Sequence, residues 1–187
     1  MGIFFGASIN PEKILSSARM FHLIYEKLDI TLLGLLQVDS KGDVNVSKRG
    51  EGPINYVGPG GFTDMTVAAK TIIFIGTWML GAHTEIQEGK IVITKPGQSK
   101  FIDKVDEITF SGSEALQHGK KVYYCTNVGV FQLTERGMEL IEVMPGIDIQ
   151  KDIINGCSMK IVPTEPGRVS VVSESIVTGK GFKLQWR

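Results

Sequence analysis

Cysteine is scarce in this chain. Cys125 and Cys157 are the two present among 187 residues, and they form no C-x-x-C pair. A disulfide framework or a structural zinc site needs more ligands at closer spacing, so neither is expected, and no metal is called for. Cys125 ends the apolar run Val122-Tyr123-Tyr124-Cys125, where a thiol is expected to be buried and inert. Long hydrophobic runs are also missing. Leu32 to Leu36 and Ile72 to Ile75 fall well short of the ~20 apolar residues that span a bilayer. Net charge is absent as well, with 20 Lys+Arg against 20 Asp+Glu, which removes the electrostatic footprint of a nucleic-acid binder. The N-terminus, Met1 to Ser8, has no basic region and so lacks a secretory pattern, and Gly6 stands where a myristoylation site needs Ser or Thr. A reducing cytoplasm is the expected compartment, with neither membrane nor nucleic acid as partner.

Glycine is what the chain has in excess, 22 of 187 residues, or about 12% against a usual ~7%. Length and 42% hydrophobic content suit one compact domain. Gly2 to Ser8 is a short apolar run that predicts a buried strand. Asn10-Pro11-Glu12 predicts a helix start, with Ile14, Ala18, Phe21 and Tyr25 as its apolar stripe. Asp29 to Val38 is apolar almost without alternation and predicts a strand covered on both faces, as in a parallel sheet. A turn at Asp39 to Asp43 leads to a short strand over Asp43 to Ser47. Lys48 to Thr63 is a loop of about 16 residues, long enough to suggest function. A short helix over Met65 to Lys70 and a buried strand over Thr71 to Gly76 follow. Ala82 to Ile86 and Ile91 to Thr94 predict a β-hairpin. Further strands are expected at Glu107 to Phe110, Lys121 to Thr126, Val128 to Leu133 and Gly137 to Val143, with a short helix over Asp148 to Ile154. Residues 1–163 read as one α/β domain with an antiparallel portion, and 164–187 as a loosely attached tail.

Gly58-Pro59-Gly60-Gly61-Phe62, leading into Thr63-Asp64-Met65, is the most chemically suggestive stretch. Residues without a β-carbon let backbone amides approach a ligand closely. Successive N–H groups beside a helix start attract negative charge, either a phosphate or the oxyanion of a tetrahedral intermediate. A plain tight turn is the competing reading. His22, His83 and His118 lie far apart and beside no nucleophile, so packing or surface roles are expected. Trp78 is expected to pack beneath the hairpin rather than line an acyl pocket. Lys100, Asp103, Lys104, Asp106 and Glu107 predict a solvated, mixed-charge helix face.

Six motifs occur in a recognisable order. They are Leu36-Gln37-Val38-Asp39, Gly42-Asp43-Val44-Asn45-Val46-Ser47, Gly58-Pro59-Gly60-Gly61-Phe62, and Lys70-Thr71-Ile72-Ile73-Phe74-Ile75-Gly76-Thr77. Lys100-Phe101-Ile102 with Ile108-Thr109-Phe110-Ser111-Gly112, and Val130-Phe131-Gln132-Leu133-Thr134 with Pro145-Gly146-Ile147-Asp148, complete the set. From Gly2 to about Pro163 the chain resembles the C-terminal, β-subunit-like half of family I coenzyme A transferases, in the acetate/acetoacetyl-CoA and propionate branch. The resemblance implies an α/β fold of the NagB/RpiA/CoA transferase-like type: an open, mostly parallel sheet with flanking helices and an antiparallel hairpin portion, here incomplete at the N-terminus. It implies a short-chain acyl-CoA and a carboxylate such as acetate, propionate or acetoacetate as substrates, and CoA as substrate rather than a permanently bound cofactor. It also implies a glutamate nucleophile that passes through an acyl-glutamyl anhydride to a glutamyl-CoA thioester. By resemblance Gly60 and Gly61 supply the oxyanion amides, Gly58 and Phe62 shape the CoA side of the pocket, and Asn45 matches an active-site asparagine.

Departures from the family pattern are equally informative. The family nucleophile lies in E-x-G-x-x-G-G, and none of Glu12, Glu26, Glu51, Glu85 or Glu107 stands in such a motif. The family segment F-D-F-Y-D-G-G-G-L-D is replaced by Phe21-His22-Leu23-Ile24-Tyr25-Glu26-Lys27-Leu28-Asp29, without glycine, and Asn127 stands where the family has T-E-R. The isolated chain is therefore expected to be inactive, to expose apolar strand edges, and to need an N-terminal half or self-association. A non-catalytic remnant serving as an interaction or CoA-binding module is the alternative. A sugar-phosphate isomerase relative is weakened because no acid/base pair emerges.

Overall fold

A computed structural model describes residues 11–52, 55–163 and 167–184. In chain order they form α1 (Ser17–Lys27), β1 (Ile30–Gly34), β2 (Gln37–Val38), β3 (Val44–Asn45), α2 (Phe62–Ala68), β4 (Thr71–Ile75) and β5 (Met79–Leu80). Then come β6 (His83–Gln87), β7 (Lys90–Lys95), β8 (Gln98–Ser99), α3 (Gly112–Gln117), β9 (Lys121–Cys125), β10 (Gly129–Thr134) and β11 (Gly137–Val143). A π-helical turn at Ile149–Ile154, β12 (Ser170–Val171) and α4 (Glu174–Thr178) complete the order. The main sheet runs β1-β4-β9-β10-β11-β12. Strands β1, β4 and β9 are parallel, β9, β10 and β11 antiparallel, and β12 adds parallel to β11. This is the α/β sheet with an antiparallel portion that the hydrophobic pattern predicts. No helix among the described residues is long and apolar enough to cross a membrane.

Alternation decides which face of the parallel strands is buried. Thr31, Ile72, Val122 and, one repeat on, Phe74 and Tyr124 face the core. Phe74 is its centre, with ring centroids of Phe110, Tyr124 and Phe62 at 5.0, 5.3 and 5.9 Å. A second aromatic layer stacks Trp78 on Phe101 (4.4 Å) and Phe131 (5.2 Å). Trp78 also donates its indole N–H to the Asp152 carbonyl, so it is a core residue.

The structure corrects several expectations. The Gly2 to Ser8 strand and Asn10 lie outside the described residues. Pro11 to Leu15 are not helical; α1 begins only where Ser16 caps it, its hydroxyl accepting from Arg19 N–H at 3.3 Å. The Asp29–Val38 run is not one strand. The backbone turns at Leu35-Leu36 so that β2 pairs antiparallel with β3. Its outer face is not covered among the described residues either, since Ile30 and Leu32, with Ile75 on the neighbouring β4, are exposed. Helix α2 starts at Phe62, not Met65. The expected strand at Glu107–Phe110 and the helix face over Lys100–Glu107 are both an irregular loop. Here Phe101, Val105 and Phe110 bury themselves while the backbone bonds to neighbouring elements, through bridges Val38–Phe101 and Val44–Phe110. The hairpin of β6 and β7 closes with Glu88-Gly89, both at positive φ, as a two-residue turn requires.

Two buried carboxylates organise the middle of the molecule. Asp39 accepts from the amides of Lys41, Asp43 and Val105, and Asp43 accepts from the amide of Gly112 at 2.8 Å. Tyr124 donates its hydroxyl to the Gly42 carbonyl at 2.6 Å. Gly112 must lack a side chain here, because a β-carbon would run into the Lys41 carbonyl oxygen. Gly112→Ala is therefore expected to cost about 1–3 kcal/mol or more in urea unfolding. Gly34→Ala, with nothing within 4 Å of its β-carbon, should stay within about 0.5 kcal/mol of the parent. Burial raises the Asp43 carboxyl above the ordinary carboxylate value. A raised native value means the folded state holds the proton more tightly, so the ionised group opposes folding above its native value. That cost fades as pH falls towards its unfolded value near ~3.9. Relative to Asp43→Asn, the parent should accordingly gain urea-midpoint stability as pH is lowered from neutral through its raised native value towards the ordinary carboxylate range.

Candidate active site

The glycine loop and Asn45 sit at opposite ends of the segment joining β3 to α2. Ser47 O accepts from Val57 N–H at 2.8 Å and Lys48 bridges Tyr56, so the two arms of this segment lie side by side. Gly58 and Gly60 are exposed, and Gly60 has φ +58°, a conformation that favours glycine. Gly61 is the residue before the first turn of α2, and its carbonyl accepts from Met65 N–H. Among the described residues, neither the Gly60 nor the Gly61 amide donates to a backbone carbonyl, whereas Phe62 N–H is taken by Pro59 O. The Phe62 side chain points inward and is 6% exposed against Phe74.

Helix α1 reaches this loop. A β-carbon on Gly61 would lie 2.9 Å from the Phe21 ring, and Tyr25 donates its hydroxyl to Asp64 Oδ1 at 2.8 Å. That bond to a carboxylate holds the Tyr25 phenol above its usual value. The glycine-free Phe21–Asp29 segment thus places side chains directly on the loop.

Asn45 is fully buried, with all its hydrogen-bonding capacity committed. Its Nδ2 donates to Gln37 Oε1 (2.7 Å) and to Lys48 O (2.9 Å). Its Oδ1 accepts from the amides of Ser47 (3.0 Å) and Lys48 (2.9 Å). Gln37 passes the network on, donating to Asp106 Oδ2 at 2.7 Å and accepting from Asp106 N–H. Asn45 therefore staples the turn from which Lys48 and Arg49 project. Gln37 is legible in the sequence only as part of the Leu36–Asp39 motif, and Asp106, expected on a solvated helix face, instead bonds Gln37. Helix α3 was also missed, although Ser111 and Glu114 carry the capping-box spacing that announces it; Ser111 Oγ accepts from Glu114 N–H.

The remaining candidates do not assemble. His22 pairs with Glu26 at 3.0 Å on the exposed face of α1, and His118 Nδ1 bonds the Glu114 carbonyl. Glu51 lies near Lys48, Glu85 accepts from Gln87, and Glu107 accepts from Tyr56, all at the surface. Cys125 is half-buried rather than fully enclosed; burial raises its thiol and pushes that of Cys157 up to about 11, so neither is a ready nucleophile.

No protein-family model matches the chain. Curated relatives do. Acetate CoA-transferase YdiF of Escherichia coli K12 is 40% identical over 188 aligned positions, covering 98% of this chain and 34% of that enzyme. Caffeate CoA-transferase of Acetobacterium woodii is 39% identical over 157, covering 81% of this chain and 30% of that protein. Among solved structures, the YdiF apoenzyme from E. coli O157:H7 superposes with a TM-score of 0.82 at 37% identity, over 94% of this chain and 34% of its own. The same acyl-CoA transferase in a thioester complex with CoA gives 0.80 at 36% identity, over 90% and 32%. The chain thus spans about a third of the length of the relatives it matches. By sequence and fold it is similar to the C-terminal, β-subunit-like half of family I coenzyme A transferases.

Asn45→Ala removes four hydrogen bonds and strands the Ser47 and Lys48 amides in a buried turn. It should lower unfolding free energy by at least about 2 kcal/mol and speed proteolysis within residues 46–52. Urea titration and limited digestion provide the measurement.

Proposed function

We propose that this chain contributes the C-terminal half of a transferase that moves coenzyme A between a short-chain acyl-CoA and a carboxylate such as acetate, propionate or acetoacetate. The 40% identity along 98% of the chain carries this reading. A glutamate carboxylate attacks the thioester carbonyl, the tetrahedral oxyanion collapses, and CoA leaves as thiolate with an acyl-glutamyl anhydride left behind. The thiolate then attacks the glutamyl carbonyl, releasing the first carboxylate and leaving a glutamyl-CoA thioester. The incoming carboxylate attacks that thioester to form a new anhydride and expel CoA thiolate, which attacks the new acyl carbonyl to give the product thioester and the free glutamate. Each addition places negative charge on a carbonyl oxygen. The Gly60 and Gly61 amides, uncommitted to backbone carbonyls, are the groups we assign to that charge. Because E-x-G-x-x-G-G does not occur among these 187 residues, the attacking glutamate comes from outside them. The exposed outer face of β1 and β4, with Ile30, Leu32 and Ile75, is the surface we assign to the half that brings it.

One observation favours the second reading, a non-catalytic CoA-binding or interaction module: Phe21 lies against Gly61, where the oxyanion would have to approach. Exchange of label from propionate into acyl-CoA separates the two. The chain alone should give no exchange, and mixing with an N-terminal half bearing E-x-G-x-x-G-G should restore it. Turnover by the chain alone would overturn the external-glutamate assignment, and silence in the mixture would favour the module.

A further inference from the structure

A cleft of about 620 Å³ opens where the parallel strands end, apart from the glycine loop. Leu36 and Gln37, just past β1, form one wall, Lys48 to Gly50 a second, and Gln98 to Lys100 a third. In open α/β sheets, ligands bind outside the carboxyl ends of the strands. Three cations line this one, Lys48, Arg49 and Lys100, against the single carboxylate of Asp106, in a chain whose charges cancel overall.

We propose that Lys48, Arg49 and Lys100 form a phosphate-binding site that seats the phosphorylated nucleotide end of coenzyme A; the identity of the ligand rests on the transferase reading above. Each cation is placed for the task. Lys100 donates from Nζ to the Leu35 carbonyl at 3.1 Å, leaving two ammonium protons for a ligand, and its amide donates to Trp78 O. Gly76, at the end of β4, makes room for this, since a β-carbon there would sit 2.9 Å from Leu35 and 3.5 Å from Lys100 Nζ. Burial lowers the Lys100 ammonium below its ordinary value, the signature of a desolvated cation that an anion would stabilise.

Lys48 is held at its backbone by the Asn45 amide from both sides. Its side chain is 18% exposed, and its acidic neighbour Glu51, 3.6 Å away, is 94% exposed and so holds it weakly. Arg49 is anchored by Arg49 N–H to Asn55 O, while its guanidinium has no acceptor among the described residues. Asp106, held by Gln37 Nε2, offsets one of the three charges and leaves the lining net positive. Two ammoniums and one planar guanidinium suit phosphate oxygens. The volume exceeds what a lone phosphate needs, which favours a larger phosphate ester.

Calorimetry with CoA, 3′,5′-ADP, pantetheine and inorganic phosphate, on the parent and on Arg49→Ala and Lys48→Gln/Arg49→Ala, tests this. CoA and 3′,5′-ADP should bind the parent, lose about tenfold per cation removed, and weaken with added salt, while pantetheine is indifferent to the substitutions. Arg49 is exposed, so its variant keeps the parent's melting profile. Unchanged CoA affinity in both variants would overturn the site yet leave CoA binding, and the transferase reading, standing. Inorganic phosphate binding without 3′,5′-ADP binding would overturn the CoA assignment, and no binding of any phosphate to the parent would overturn the site. Label exchange in the reconstituted mixture judges the transferase reading separately from all of these.

Discussion

Two nearly water-free carboxylates hold the working part of this fold in shape. Asp39 and Asp43 are 3% and 5% exposed, and both accept hydrogen bonds from backbone amides. Bonds from N–H to a carboxylate are among the stronger ones a protein makes, and here they replace a sheet ladder. They bind the irregular loop over residues 100–111 to the β2–β3 ribbon and fasten the start of α3 beside it. Burial nonetheless outweighs the Gly112 bond at Asp43, whose carboxyl is raised overall. Rigidity of the loop is thus obtained at some cost in stability at neutral pH. Together with the Lys100–Leu35 and Asp106–Gln37 bonds, it fixes Lys100 and Asp106 relative to Lys48 and Asn45.

Much of the sheet was legible because its signals are local. Strands β4, β9, β10 and β11 are apolar runs bounded by glycine or polar turns, and the Glu88-Gly89 hairpin announces itself by its turn residues. Failures arose where long-range partners override the local pattern. Asp29 to Val38 reads as one buried strand, yet Leu36 N–H bonds to Asn45 O and the chain turns away after Gly34. Residues 100–110 alternate charge with bulk in a helix-like manner. Their conformation is instead set by Asp39, some 60 residues earlier, which no window along the chain can register.

The candidate site was legible as composition and opaque as geometry. Gly58-Pro59-Gly60-Gly61 does form an exposed bend ahead of a helix. That Gly61 lacks a side chain because Phe21 lies on it depends on α1 packing over α2, a contact forty positions apart. Asn45 shows the same ambiguity. A short amide can meet a thioester or tie a turn, and four committed hydrogen bonds put it to the second use. Its effect on a ligand then runs through Lys48, whose position it sets, rather than through contact.

The two anion-attracting features differ in kind, and that difference fits the chemistry proposed for them. The glycine loop offers amide dipoles and no full charge; the cleft beside β1 and β4 offers three cations. A transient oxyanion shares its site with a carboxylate before and after each addition. Fixed cations there would stabilise those ground states as strongly as the transition state and gain nothing in rate. Oriented amides, aimed where charge develops, favour the transition state selectively. A phosphate carries its charge throughout the cycle, so uniform attraction is what its seat should supply, and lysine and arginine supply it. Placing the cations apart from the glycine loop keeps binding energy and rate enhancement on separate groups, each changeable without the other.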